Sequence, residues 1–425
     1  MCRLKPIFVF TIFTVLALSA AHAQQPPPEN SSGPTGSVTG FVYYGETRLP
    51  ARFAEINIVP VPAEEDVAAV RNQPTQSGEQ QAPHVQRVFG SSGMDGSFRL
   101  DGVPPGDYLV VARKPGYIMP GAAAVMDWTL SEEQIKTLLA SLPRVHVSAG
   151  QTASVNVTLH RGAVITGRLQ FADGSPAVGA AVGCESVESA QRLENMMRPE
   201  NRGKAVSPRQ RAVQLLASSQ NAGPKIVTDD EGRYRIFGLA PGKYLVDTMM
   251  FLDHSSGRVE MSDGSNAHTG GREHMFPEGI AVYAPETFRR KDAKVFEIHG
   301  DEQITDADLT IDASSLHTLR GRVLVAEDRH VPATIIRLKD DKDPLASRVA
   351  EIEDDGTFQI NYLPSGSYAL QIISNDPPDM TGSGTPPREY KAVKLTVVVG
   401  DQDVVLDDVL VAPLKPGEKN FDFAF

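Results

Sequence analysis

One block of sequence occurs three times along the chain, and it constrains the fold more than any other feature. The copies span 95–110, 231–246 and 355–370. Each has an acidic residue and a glycine, an aromatic-x-aliphatic segment, a turn rich in Pro and Gly, and a tyrosine. The aromatic residue always precedes the tyrosine by ten positions, in the pairs Phe98 and Tyr108, Tyr234 and Tyr244, and Phe358 and Tyr368. A spacing kept so strictly marks a repeated structural unit.

The block has the pattern of a β-hairpin. The acidic residue and glycine favour a turn, because glycine accepts a positive φ and the carboxylate can bond the local backbone. The aromatic-x-aliphatic alternation is typical of a strand with one buried face. The Pro/Gly turn then reverses the chain into a second strand that carries the tyrosine. Each copy is therefore predicted to be a hairpin.

Further alternating segments flank each hairpin. Upstream lie an opening strand with a central glycine (Val38-x-Gly40-x-Val42, Ile165-x-Gly167-x-Leu169, Leu319-x-Gly321-x-Val323) and a second strand (from Ala54, Ala180 and Thr334). A strand-turn-strand segment closes each unit, at 145–159, 295–311 and 395–411. Short strands with regular turns indicate an all-β chain of antiparallel sandwiches. At 425 residues the chain has room for three domains, predicted at 36–160, 161–312 and 313–413.

These motifs resemble carboxypeptidase regulatory-like domains. The opening Val-x-Gly, the Asp-Gly-x-Phe turn, the Pro-Gly-x-Tyr turn and the segment Lys114-Pro115-Gly116-Tyr117 carry the resemblance, which covers the cores of all three units. It implies the transthyretin-like (prealbumin-like) and carbohydrate-binding-like sandwiches, with seven strands in Greek-key order. Such domains are accessory modules of peptidases, outer-membrane receptors and surface proteins, whereas no attached enzyme or barrel is expected in this chain.

The first residues predict export. Arg3 and Lys5 precede an apolar run, and Ala21-His22-Ala23 offers small residues for cleavage, so 1–23 is interpreted as a signal peptide. A linker rich in Pro and Gln follows at 24–35. The mature protein is expected to be secreted, either periplasmic or at the cell exterior, and no transmembrane segment is predicted in it.

The net charge restricts the classes of partner that the chain can bind, and the cysteine content shows whether a disulfide can form. Since Arg3 and Lys5 leave with the signal peptide, the 41 basic residues fall to 39 against 53 acidic ones. An acidic chain without a dense Lys/Arg block argues against nucleic acid and anionic lipid surfaces. Cys184 is the cysteine left after cleavage, so no internal disulfide is expected. Its alternation with Ala180 and Val182 predicts that its thiol faces the core and is inert.

The inserts add short helices to the predicted sandwiches. Ser131 and Gln134 fit a capping box before an apolar helical face, which predicts a helix near 131–142. Segments near 185–221 and 253–278 are longer than a minimal sandwich needs, and a helix is expected from about Pro208. The tail at 414–425 ends in alternating aromatics, which suit either an added strand of the third sandwich or a docking peptide.

No catalytic, metal or cofactor residues are predicted. His299 and Glu302 form a lone His-x-x-Glu on a turn without a third ligand, and His254, His268 and His274 have spacings that fit no common metal template. The Asp clusters near 229, 340 and 354 are explained better by turns than by calcium. Nucleophile elbows and phosphate loops are not found. The chain is accordingly not expected to be an enzyme, and an unrecognised activity stays a remote alternative.

The sequence favours a non-catalytic binding or scaffold protein, whose partner is an envelope protein or a polysaccharide. The alternative is carbohydrate binding, for which exposed aromatic rings are needed; the candidates are Trp128, Tyr117, Tyr43 and Tyr44. Tyr43 and Tyr44 are adjacent on a strand, so only one can face outward. Trp128 is the single Trp and stands just before the predicted helix, where it suits a hydrophobic staple or a sugar-binding platform.

Overall fold

A computed structural model describes residues 34–61, 88–121, 130–188, 190–191, 194, 226–253, 258–261, 278–343, 347–376, 388–415, 417–418 and 420. The predicted signal peptide, most of the linker and residues 421–425 lie outside these residues. β-Strands dominate the described chain, and the predicted all-β class is confirmed. Within the described residues no helix combines the length and apolarity needed to cross a bilayer.

The elements of each repeat unit follow the order expected from the sequence. The first unit contains β1 (Gly36–Tyr44), β2 (Glu55–Pro60), β3 (Val88–Ser91), β4 (Ser97–Val103), β5 (Gly106–Arg113), β6 (Tyr117–Ile118), α1 (Glu132–Ser141), β7 (Arg144–Val147), β8 (Thr152–Ser154) and β9 (Val157–Arg161). The second contains β10 (Ala163–Phe171), β11 (Val182–Ser186), β12 (Arg233–Leu239), β13 (Gly242–Asp253), β14 (Arg258–Met261), β15 (Glu278–Tyr283), a 3-10 turn (Arg290–Asp292), β16 (Phe296–Ile298), β17 (Gln303–Ile304) and β18 (Leu309–Ile311).

The third unit has the same plan with fewer additions. It contains a 3-10 turn (Ala313–Ser315), β19 (Leu316–Val325), β20 (Ala333–Asp340), β21 (Ser347–Glu351), β22 (Thr357–Pro364), β23 (Gly366–Asn375), β24 (Val393–Val399), β25 (Val404–Val405) and β26 (Val409–Val411). One sheet has the order β21-β20-β23-β24, and β22, β19, β25 and β26 build the other. The first unit repeats this plan with β3-β2-β5-β7 beside the sheet of β4, β1, β8 and β9.

The pairing differs from a purely antiparallel sandwich at one edge. The opening strand of each unit runs parallel to the closing segment, as β1 does with β8 and β9 and β19 with β25 and β26. The physical reason is direction: in the third unit successive strands alternate in direction from β19 to β24, so the interrupted strand of β25 and β26 that follows runs the same way as β19 and pairs with it in parallel. The closing strand is also interrupted, which divides it into two short segments.

Buried apolar side chains form three clusters, drawn from residues 38–159, 163–311 and 319–411. Each cluster takes inward side chains from both sheets of its unit, for example Val42 and Val110 in the first. These are the cores that must stabilise a chain without a disulfide. The clusters report cores and not domain ends, so the predicted boundaries stay a prediction.

The glycine of the opening strand makes room for the aromatic ring of the hairpin. Gly40 lies opposite Phe98, and Gly321 lies opposite Phe358. A Cβ atom on Gly40 would come within 3.0 Å of the Phe98 ring and 1.7 Å of a backbone oxygen, and one on Gly321 within 2.7 Å of the Phe358 ring. The Val-x-Gly motif is thus a steric requirement of the buried aromatic residue.

The repeated tyrosine closes the hairpin turn with its hydroxyl group. In every copy the hydroxyl donates to the carbonyl four residues earlier: Tyr108 to Pro104 (2.9 Å), Tyr244 to Ala240 (2.9 Å) and Tyr368 to Pro364. The ring packs on the core while its polar end fixes the turn, which satisfies a buried hydroxyl. This bond explains why the spacing between the turn and the tyrosine is constant.

The helix predicted near 131–142 is confirmed as α1. The Ser131 side chain accepts from the Gln134 amide, and the Gln134 side chain accepts in return from the Ser131 amide, which is the predicted capping box. Ile135, Leu138 and Leu139 are buried against the first core. The helix predicted from Pro208 lies outside the described residues.

Candidate binding surface

The structure separates the aromatic candidates of β1. Tyr43 points away from the core and stacks on Phe41, with ring centroids 5.7 Å apart and an interplanar angle of 19°. Tyr44 points inward and packs on Tyr117 at 4.4 Å. Burial, and then the neighbouring Tyr117, raise the pKa of Tyr44. The expectation that only one of the adjacent tyrosines faces outward is confirmed, and Trp128 lies outside the described residues.

The features considered for catalysis have structural roles where they are described. The Glu302 carboxylate accepts from the His299 backbone amide at 2.6 Å, which closes a turn. Asp229 and Asp355 each accept from backbone amides two residues further on, as expected for turn residues. No group of three His, Cys, Asp or Glu residues that could hold a metal occurs within the described chain. The three loop histidines at 254, 268 and 274 lie outside it.

Cys184 differs slightly from the sequence-based expectation. Ala180 and Val182 are buried, whereas Cys184 is only partly buried and packs against the edge of the second core. It lies at the centre of β11, opposite Val246 of β13. Burial, and then the nearby Asp247 and Glu185 carboxylates, raise the pKa of its thiol to about 12. The thiol therefore stays protonated and weakly nucleophilic.

Three exposed, large apolar side chains that sequence reasoning missed lie on two neighbouring loops of the first sandwich. Leu49 and Phe53, between β1 and β2, are each 60% exposed, and Met94, between β3 and β4, is 63% exposed. We call Leu49, Phe53 and Met94 the first-copy tip. Large apolar side chains exposed together on adjacent loops are typical of an interaction site.

Hydrogen bonds hold these two loops to each other. The Phe53 amide donates to the Ser92 carbonyl at 3.1 Å, and the Arg52 side chain donates to the Met94 carbonyl at 2.8 Å. The buried Ser92 hydroxyl accepts from the Ala54 amide at 2.9 Å and donates to a carbonyl of the same loop at 2.6 Å. The tip is consequently presented on a fixed backbone.

The second copy identifies which tip residues the fold does not need. The carbonyls of Leu49 and Ser175 each accept a hydrogen bond from the backbone amide of the last residue of their opening strand. In the same way, the Phe53 amide donates to the Ser92 carbonyl in the first copy, and the Gly179 amide donates to the Thr228 carbonyl in the second. Leu49 and Phe53 therefore stand where the second copy has serine and glycine. A large apolar side chain at these positions is dispensable for folding.

Met94 and the backbone of Phe53 support the same conclusion. Met94 directly precedes the Asp-Gly turn, where the other copies have Asp230 and Asp354. Phe53 has φ +55° and Gly179 has φ +71°, so an aromatic residue occupies a left-handed conformation that suits glycine. Comparing the three copies position by position would have found the Met/Asp difference, but the φ of Phe53 has no sequence signal.

Comparison with known proteins does not assign the chain to a family. No family model matches the sequence. No curated protein matches it. Solved structures that overlap it include the Bacillus anthracis TIE protein (14% identity, TM-score 0.18, covering 89% of this chain and 51% of that one). They also include a streptococcal ancillary pilin (10% identity, TM-score 0.26, covering 89% of this chain and 99% of that one). A third is the shaft pilin of Lactobacillus rhamnosus GG (11% identity, TM-score 0.18, covering 90% of this chain and 98% of that one). The chain spans about half the length of the TIE protein, and TM-scores this low carry no argument about fold or function.

Proposed function

We propose that this chain is an exported, non-catalytic binding and scaffold protein of the cell envelope, which uses the first-copy tip to bind a partner. The observation that carries the proposal is the exposure of Leu49, Phe53 and Met94 at positions where the second copy has serine, glycine and aspartate. The same internal comparison shows that the fold tolerates serine, glycine and aspartate there. Selection for folding alone does not account for the three apolar side chains.

The energetics of the tip favour a bound partner. Exposed apolar area costs roughly 25 cal/mol per Å² relative to burial, and a non-glycine residue in the left-handed region costs on the order of 1 kcal/mol. Covering Phe53, Leu49 and Met94 on binding recovers the first cost. Because hydrogen bonds already fix the loops, little loop entropy is lost on association.

The scaffold part of the proposal is supported by the use of polar motif residues. The tyrosine hydroxyls, the turn aspartates and the buried Ser92 and Thr228 hydroxyls all bond neighbouring backbone. These groups stabilise turns and leave the loops to face a partner. We further propose that each unit is a carboxypeptidase regulatory-like domain, which the opening glycine, the hairpin and the seven-strand order support.

Replacing the tip by the residues of the second copy tests the function. The triple variant Leu49→Ser, Phe53→Gly and Met94→Asp should fold normally, because each residue is tolerated at the equivalent position. Immobilised exported protein should retain specific components of an envelope extract, including its polysaccharides, and the variant should lose at least about tenfold of that retention, or about 1.4 kcal/mol.

A matched control is Val178→Ser, which removes an exposed apolar residue from the equivalent loop of the second sandwich. It should leave retention unchanged. Equal retention by the wild-type protein and the triple variant would show that the tip does not bind the partner.

Carbohydrate binding is a second candidate, favoured by the stacked pair Phe41 and Tyr43 on the outer face of β1. Phe41 is 39% exposed, and the nearly parallel rings of this pair offer an aromatic surface that can contact the apolar face of a sugar. In the same assay, loss of polysaccharide retention in Phe41→Ala with Tyr43→Ala, but not in the tip variant, would favour this candidate. Retention of polysaccharide by that double variant would reject it.

A further inference from the structure

A cavity of about 300 Å³ lies where the second and third sandwiches meet. The second sandwich contributes Val187, Ala190, Gln191 and Glu194, together with Leu245 of β13 and the chain around the 3-10 turn at Arg290–Asp292. The third contributes Lys342 and Asp343, which follow β20. Cavities between domains are common ligand sites, and this volume is at the lower end for small molecules.

The inner part of this cavity is apolar. Ala190 and Leu245 are each 3% exposed, and Val187, Ala293 and Val295 line the cavity beside them. Val295 remains 48% exposed although its side chain is apolar. This lining suits an apolar chain or ring, which would exclude water from Val295 on binding.

Ion pairs between the two sandwiches fix the cavity walls. The Arg289 guanidinium donates to the Asp340 carboxylate at 2.7 Å, and both side chains are nearly buried. Arg290 binds Glu185 with two hydrogen bonds of 2.9 and 3.2 Å, and its backbone amide donates to Asp343 at 3.1 Å. The two-point Arg290–Glu185 pair lies within the second sandwich and orients Arg290, whereas the Arg289–Asp340 pair and the Arg290 amide bond to Asp343 join the two sandwiches without a ligand.

The rim of the cavity carries unpaired positive charge. Lys291 from the second sandwich and Lys342 from the third are exposed, and no described carboxylate lies within salt-bridge distance of either ammonium group. Arg290 is matched by Glu185 and Asp343. Glu194 is the remaining acidic residue of the described lining. Within the described lining, two lysines without a described carboxylate partner face one remaining carboxylate, which favours a ligand with an anionic group.

We propose that this interdomain cavity binds a small amphiphilic anion, with its apolar body against Leu245 and Val295 and its carboxylate between Lys291 and Lys342. Because the two lysines come from different sandwiches, such a ligand would also hold the second and third sandwiches together. This site is separate from the first-copy tip and does not depend on the function proposed for it.

Calorimetric titration of the full exported protein with three ligands of equal chain length tests the proposal. Decanoate should bind saturably with one site per chain, and at least about fivefold more tightly than decanol or decyltrimethylammonium, with the two ions below their critical micelle concentrations and decanol below its solubility limit. Lys342→Gln should weaken decanoate binding about fivefold, which corresponds to about 1 kcal/mol for a partly exposed charge pair. Val295→Trp should abolish it by filling the cavity.

The matched control is Lys243→Gln, which removes an exposed lysine of the second sandwich outside the cavity lining. It should leave the affinity for decanoate unchanged. Absence of saturable decanoate binding, equal affinity for decanol, or unchanged binding in Lys342→Gln and Val295→Trp variants with normal thermal unfolding would each overturn the proposal.

Discussion

Individual positions in the three copies divide into those that the fold determines and those that it leaves free. The glycine of the Asp/Glu-Gly turn has φ +78°, +75° and +82° at Gly96, Gly232 and Gly356, so the backbone requires it in every copy. The residue two positions earlier is Met94 in the first copy and aspartate in the others. Because the fold does not determine the residue at such a position, a difference between the copies there indicates a function.

Asp247 gives a prediction at the scale of one titratable group. It lies on β13 opposite Gly183 and Tyr283, and a Cβ on Gly183 would approach its carboxylate to 2.7 Å. Burial, and then the Glu185 charge, raise its pKa to about 6, while Arg290 opposes the shift. The folded state thus holds the proton more tightly than the unfolded chain, whose aspartate pKa is about 4.

Stability should therefore fall as the pH rises from about 4 to about 6 and level off above that, by up to about 3 kcal/mol. Asp247→Asn removes this loss, and should raise the unfolding free energy by about 1–3 kcal/mol at pH 7.5 with little change at about pH 3.5. Urea unfolding followed through exposure of the Cys184 thiol reports on the second sandwich. Glu286→Gln, at an exposed carboxylate, is the control, and an equal effect of both substitutions would contradict the assignment.

At the scale of elements, the sequence pattern predicted those strands, turns and helices that are stabilised by contacts between residues close in the chain. The hairpins follow from alternation and turn residues, and α1 follows from the Ser131 and Gln134 cap, because all these contacts lie within a few residues. The parallel pairing of β1 with β8 and β9 joins residues more than a hundred positions apart, and the first-copy tip depends on bonds between Phe53 and Ser92. Neither has a local signal.

Tyr244 tests the hairpin as an element. Tyr244→Phe removes the hydroxyl bond to Ala240 and should cost about 1 kcal/mol of unfolding free energy. Tyr244→Ala also removes the ring that packs on the second core and should cost about 3–5 kcal/mol. Urea unfolding with the Cys184 thiol as probe measures both. A cost below about 1 kcal/mol for the alanine variant would mean that the ring contributes little to the core.

At the scale of the whole molecule, contacts between units determine how the sandwiches are joined. The Gly162 amide donates to the Gly116 carbonyl at 3.0 Å between the first and second units, and Arg289 reaches Asp340 between the second and third. Composition and motifs predicted three units but not these junctions, since Arg289 carries no feature that distinguishes it from a solvated arginine. The interdomain cavity was missed for the same reason.

Site-specific photo-crosslinking in cells tests the central claim, that a partner contacts the first-copy tip. A benzophenone amino acid would be incorporated at position 53 in one strain and, as the matched control, at position 178 on the equivalent loop of the second sandwich, where Val178 is 59% exposed. Both sites are exposed, so chance collisions should affect them equally. The account predicts a discrete crosslinked species from position 53 and none from position 178. Identical crosslinking patterns at the two positions, or no product from position 53, would contradict it.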